Sequence, residues 1–380
     1  MNTQTHWLRY SLLLVSVAAF AGAGCSSSSS SSGPSGIPSG ERIEIDDGGA
    51  GDTQAAVTTG EAETRAGETV RTFGHIEEAV EEVFNRLGDP GDLLAGTAYA
   101  DSGGRMSGFS SQPTWRRSDF EFIPPDDFGE GDNTDPIDET VACDNEGVGT
   151  VRIRVNETDS SFYGRLNFTQ CELDNYHYEG AIYVYERLRE GSATREHFTG
   201  WQDLSVVVSD TTTEGDQNTI AINGRADFEV DGRLFEAENL ITIDEHVSAD
   251  MEVLLDGEDY FAISGLELSS HEKQQHDPYA FIEAEESVSG RFLRDYGGTP
   301  GYMDVTTPVA LRYESDDAWD NFCPDDGSIE MLGDQLLILN FGPQASGTNF
   351  ADLSIAPEDG LAGIQANYAD CAEFQTGMGF

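Results

Sequence analysis

The chain reads as an all-β protein: a large curved antiparallel sheet or meander of about ten or more strands, with one amphipathic helix. Three observations predict this. From Val148 onwards apolar and polar side chains alternate with period two, as in Val151-Arg152-Ile153-Arg154-Val155, which is the pattern of a sheet with one wet face. Glycines recur inside these alternating stretches, at Gly164, Gly180, Gly224, Gly232, Gly265 and Gly290, where strands bend or bulge. Only residues 75–87 show the three-to-four spacing of a helix.

The elements follow in order. Residues 1–24 have a short start with Arg9, an apolar run over 12–20, and the small residues Ala21-Gly22-Ala23-Gly24 before Cys25. The run is too short to span a bilayer, which takes about 20 apolar residues, and it has the length of a secretory signal. Small residues followed directly by Cys resemble the lipobox of bacterial lipoproteins, although Gly22 stands where that family prefers an aliphatic residue. The resemblance implies a signal peptide over 1–24 and lipidation of Cys25. Ser26 after it is similar to the pattern sent to the outer membrane, facing the periplasm or the cell surface.

Residues 25–72 join Cys25 and seven serines to a Gly-, Ala-, Thr- and acid-rich stretch, which predicts a disordered tether. In 75–87, Ile76, Ala79, Val80, Val83, Phe84 and Leu87 form one stripe, with Gly88 and Pro90 as the stop. That stripe predicts a lid or plug on a sheet. The rest of 73–147 reads as an irregular acidic loop, broken at Asp89-Pro90, Pro124-Pro125 and Asp135-Pro136.

Residues 148–313 form the predicted meander, with strands at 180–188, 203–209, 234–243, 250–256, 259–269, 279–284 and 302–313 among others. Gly215-Asp216 and Asp231-Gly232 read as turns. Residues 314–380, with a strand at 335–341, read as a C-terminal β module packed on the same sheet. The repeated Gly-Arg-apolar motif (Arg165, Arg225, Arg233, Arg291) predicts cross-strand charge partners.

Charge is the strongest compositional feature. There are 71 acidic and 20 basic residues, net −51, and Lys273 is the one lysine. Such a charge repels itself unless salt screens it, and the composition resembles that of proteins from salt-loving bacteria. Nucleic acid is excluded as a partner class because no basic stripe exists for phosphate.

Four cysteines remain besides Cys25. An even number in an exported chain favours disulfides. Four allow three connectivities. The shared pattern Cys-x-x-acid-Gly at Cys143 and Cys323 favours Cys143–Cys171 and Cys323–Cys371.

No catalytic residue is expected. His271 and His276 are five apart rather than four, so the spacing misses the HExxH zinc motif, and their segment reads as a polar loop. No GxSxG, SxxK or phosphate loop occurs. No cofactor is expected, with calcium the one cation left open on oxygen-rich loops: its weak candidate ligands are Asp132, Asp135, Asp138, Asp320 and Asp325. The expected function is an outer-membrane lipoprotein, non-catalytic, binding or structural, with an envelope protein as partner. The alternatives are a carrier of an apolar ligand or lipid, and an enzyme with an unrecognised site.

Overall fold

The computed structural model describes residues 36–37, 41–46, 51, 53–87, 137–141, 143–156, 161–173, 175–192, 194–212, 218–276, 280–296, 299–356 and 363–379. Among these residues, fourteen strands form one open antiparallel sheet in which every strand pairs with its sequence neighbour. They are β1 (Ile137–Val141), β2 (Val148–Asn156), β3 (Ser161–Leu173), β4 (Tyr176–Ser192), β5 (Arg195–Asp210), β6 (Thr219–Phe235) and β7 (Leu240–Leu255). Then follow β8 (Asp259–Gln275), β9 (Ala280–Asp295), β10 (Pro300–Tyr313), β11 (Asp326–Leu332), β12 (Leu336–Phe341), β13 (Ala351–Ala356) and β14 (Gly363–Tyr368). Helix α1 (Ala62–Leu87) precedes them; α2 (Asp316–Asp320) and α3 (Cys371–Met378) lie among and after the last strands.

The all-β class, the meander and the helix are as expected, and the sheet runs unbroken through β11–β14. Several boundaries differ. Asp231 and Gly232 pair with Asp244 and Ile243 in the middle of a β6–β7 ladder, so they are not a turn. The turn lies at 236–239, inside the stretch 234–243 that reads as one strand. His271 belongs to β8, because Asp244 and Glu285 flank it on neighbouring strands. Gly215-Asp216 lies outside the described residues.

The helix begins at Ala62, thirteen residues before the predicted start. Ala62, Ala66, Thr69 and Val70 continue the buried stripe of Phe73, Ile76, Ala79, Val83 and Leu87. The early turns bury small and hydroxylated residues, since they lie close against α3 and the sheet. A Cβ on Gly67 would fall on the Met378 carbonyl oxygen, and Arg71 donates to that same oxygen at 2.6 Å.

Along its length α1 reaches from Glu63, which accepts the Tyr368 hydroxyl on β14, to Arg86, whose carbonyl accepts the Tyr178 hydroxyl on β4. At about 1.5 Å per residue this is roughly 35 Å, whereas ten strand spacings on a flat sheet are about 48 Å. The sheet therefore curves around the helix. Its bend is built at glycines: Gly180 and Gly224 have φ of 110° and 149°, and a Cβ on either would strike the neighbouring strand at Ser205 or Asp250.

Part of the expected tether is also structured. On the face away from α1, Ile37 packs with Ala181, Tyr183 and Trp201, and Ile45 with Tyr260, Ala262 and Leu293. The Ala55 N–H donates to the Tyr302 carbonyl at 2.8 Å, and Val57 N–H to Asp334 Oδ1 at 2.7 Å at the β11–β12 turn. The chain thus crosses the outer face, turns round the end of the sheet and returns on the inner face as α1. The two passes clamp the sheet between them.

Candidate functional site

The four body cysteines pair as Cys143–Cys171 and Cys323–Cys371, with Cα–Cα distances of 5.3 and 5.7 Å. Cys25, Asp132 and Asp135 lie outside the described residues. Asp138 falls in β1 and Asp320 in α2. Asp325 serves the backbone: its Oδ2 accepts the Glu314 N–H at 2.8 Å, and its own N–H donates to Arg312. Among the described residues no three His, Cys, Asp or Glu side chains gather as a metal site. His271 Nδ1 lies 2.7 Å from Asp244 Oδ1, an exposed pair across β7 and β8.

The inner face is mostly apolar and also carries buried acids. Glu186 on β4 is 3% exposed and pairs with Gly200 of β5. Burial pushes its carboxyl up to about 8, so it holds its proton at neutral pH. Glu286 on β9 is buried beside Tyr313; burial first, and then that carboxyl, hold the Tyr313 phenol well above its usual range. Between α1 and the sheet is a cavity of about 10 Å³, bordered by Thr69, Phe73, Leu268, Glu286, Val288 and Leu311. That is room for about one water. A lipid tail does not fit in it.

The outer face of β3–β5 gathers another kind of chemistry. Register places Tyr163 opposite Tyr185, Tyr185 opposite Trp201, and Arg165 opposite Tyr183. The rings touch: Tyr185 and Trp201 centroids are 5.8 Å apart, Tyr163 and Trp201 6.3 Å, Tyr163 and Tyr183 6.4 Å. Trp201 and Tyr183 are the buried floor, with Tyr163 and Tyr185 half-buried above them. Arg165 stacks over Tyr183 at 4.9 Å and Arg225 over Trp201 at 4.6 Å. Arg187 follows Tyr185 along this face, opposite Thr199, and Arg189 Nε donates to the Thr199 hydroxyl at 2.8 Å.

At one side of this patch the outer strap is pinned. Asp203, 1% exposed, accepts the Ile37 N–H at 2.9 Å and Arg42 Nη2 at 2.6 Å. The cross-strand charge-partner expectation holds for Arg291 with Asp304, whereas Arg225 and Arg233 pair with Asp227 and Asp231 two residues along their own strand. Arg165 departs from it by lying on an aromatic ring. The signal for the patch was present as Tyr163, Tyr183, Tyr185 and Trp201 at alternate positions, but which strands lie side by side decides that they meet.

No family model, curated protein or solved structure matches the chain.

Proposed function

We propose that the chain is a lipid-anchored envelope protein, held at the outer membrane through Cys25, with a non-catalytic β-rich body that binds or supports another envelope component. One observation carries the reading: the four other cysteines are bonded to one another, so the body offers Cys25 no partner. A cysteine after an apolar run and small residues then has lipidation as its natural use. The acid excess supports work in concentrated salt, where repulsion is screened.

The test is metabolic labelling with an alkyne fatty acid, comparing wild type with Cys25→Ser, together with the intact mass of the mature chain. Label on the wild type alone, and a mature chain starting at Cys25, are expected. A wild-type chain without label, or one starting elsewhere, refutes the anchor.

The carrier reading draws on the helix lying across the inner face like a lid. The small cavity beneath it favours the filled-core alternative. Native mass spectrometry in volatile salt separates the two. A mass lighter by the hydrogens of two disulfides fits a binding or structural body, and an extractable lipid adduct fits a carrier.

A further inference from the structure

Charge is unevenly spread over the sheet. Strands β2–β6 hold eight arginines against ten acids, whereas β7–β10 hold four basic residues against twelve acids. Strand alternation then sorts the first group: Arg152, Arg165, Arg187, Arg195, Arg225 and Arg233 all take outer-face positions, while Glu186, Glu196 and Asp210 take inner ones. Within a protein of net charge −51, the outer face of β2–β6 is close to neutral.

Arg165, Arg187 and Arg189 stand out within it. Among the described residues they form no ion pair, although 71 carboxylates were there to be used. The Nε atoms of Arg165 and Arg187 are themselves buried and have no hydrogen-bond partner. Three guanidinium groups on adjacent strands, beside Tyr163, Tyr185 and Trp201, make a surface that fits an external anion next to an apolar layer. Guanidinium matches the geometry of phosphate with paired hydrogen bonds. Tyr and Trp settle at the depth of lipid headgroups.

The position of the chain start agrees. Ile37 is seated on this patch, twelve residues after Cys25. Twelve residues span at most about 43 Å. A lipid on Cys25 therefore keeps this face nearer to the bilayer than any other. The acids of β8 lie about 19 Å away from β4, beyond a Debye length of about 8 Å, and oppose contact only weakly.

We propose that the outer face of β3–β5 rests on the membrane, with Arg165, Arg187 and Arg189 on lipid phosphates and the half-buried rings of Tyr163 and Tyr185, held up by Trp201 beneath them, at the headgroups. The argument from proximity rests on the anchor reading; the argument from the side chains does not.

The test uses the acylated protein with a protease site in place of Ser27–Ser32, reconstituted on vesicles and then cut. Every described element lies at residue 36 or beyond, so the cut leaves the fold whole. The released body is expected to stay with phosphatidylglycerol vesicles and to leave phosphatidylcholine ones. R165E/R187E/R189E should weaken retention on the order of a hundredfold, about fivefold per arginine. R189E alone, at an exposed position, should lose about fivefold and keep the wild-type melting temperature. Equal release from both vesicle types, or retention unchanged in R189E and in the triple variant, overturns the proposal. Failure of the anchor reading appears separately, as an unacylated Cys25 peptide before cutting, and the cut body added from solution still reports on the patch alone.

Discussion

Replacing Glu186 by Gln tests the inner face through its proton. In the folded protein burial raises this carboxyl from 4.5 to about 8. Between those values the folded state binds a proton that the unfolded state has released. Stability therefore falls as pH rises through this window, and the loss is complete above the folded value. At about 1.4 kcal/mol per unit, the full window is worth at most about 4–5 kcal/mol in the wild type. Gln is neutral throughout, so E186Q escapes the loss and carries only a constant offset for burying an amide. Urea unfolding of both proteins at pH 4.5, 6, 7.5 and 9, in molar salt, measures the difference. Groups shared by the two proteins cancel. The variant should gain on the wild type by several kcal/mol between the lowest and highest pH, with most of the gain below pH 8. A difference that stays constant across the range, or that shrinks as pH rises, refutes the argument that Glu186 is folded as a buried acid.

Other outcomes follow from packing and charge. Gly67→Ala places a Cβ on the Met378 carbonyl, so it should cost about 1–3 kcal/mol and hasten proteolysis of α3; Gly60→Ala, which meets nothing, should be near neutral by the same melting assay. Asp203→Ala removes the shared acceptor of Ile37 and Arg42 and should open residues 36–46 to limited proteolysis while the sheet keeps its circular dichroism. Loss of Cys143–Cys171 or Cys323–Cys371, with sequence separations of 28 and 48, should cost about 3.5 and about 4 kcal/mol in denaturant titrations of the serine variants. The midpoint of thermal unfolding should climb steeply between 0.1 M and molar sodium chloride, since screening relieves a charge of −51; a flat response would remove repulsion as a limiting factor.

The period of the side chains was legible, and with it the class of the fold. Val151, Ala226, Phe228 and Val230 alternate with polar neighbours because one face of the sheet meets the core. Ends were harder to read. Asp231-Gly232 has the chemistry of a turn, yet Arg195 and Arg233 neutralise the aspartate there and allow the strand to continue. Strand β13 is short and built of small residues such as Ala351 and Ser354, so little in its composition marks it. The outer strap was invisible for another reason. Few apolar side chains hold it, and the rest of its grip is the Arg42 side chain on Asp203 together with backbone N–H groups donating to Tyr302, Ser205 and Asp334, which composition does not record. The Arg and aromatic patch depends on which strands neighbour one another. Each residue is ordinary alone, and only register brings them together.

The strictly sequential order of the strands bears on how the molecule is assembled. Each ladder can form as soon as the next strand has been made, with only a short loop to close, so the sheet can grow like a zip from β1 towards β14. The clamp cannot. Glu63 must find Tyr368 and Arg71 must find Met378, over separations of 305 and 307 residues, and neither partner exists until β14 and α3 have been made. Helix α1 therefore waits for β14 and α3. A chain interrupted before β14 would keep most of its sheet and yet leave the early turns of α1 unseated. Closure of the clamp is thus registered where α1 meets β14 and α3, far from the middle of the sheet, and a molecule lacking those elements differs from one that has them by exposed early turns of α1 that proteases and chaperones can recognise.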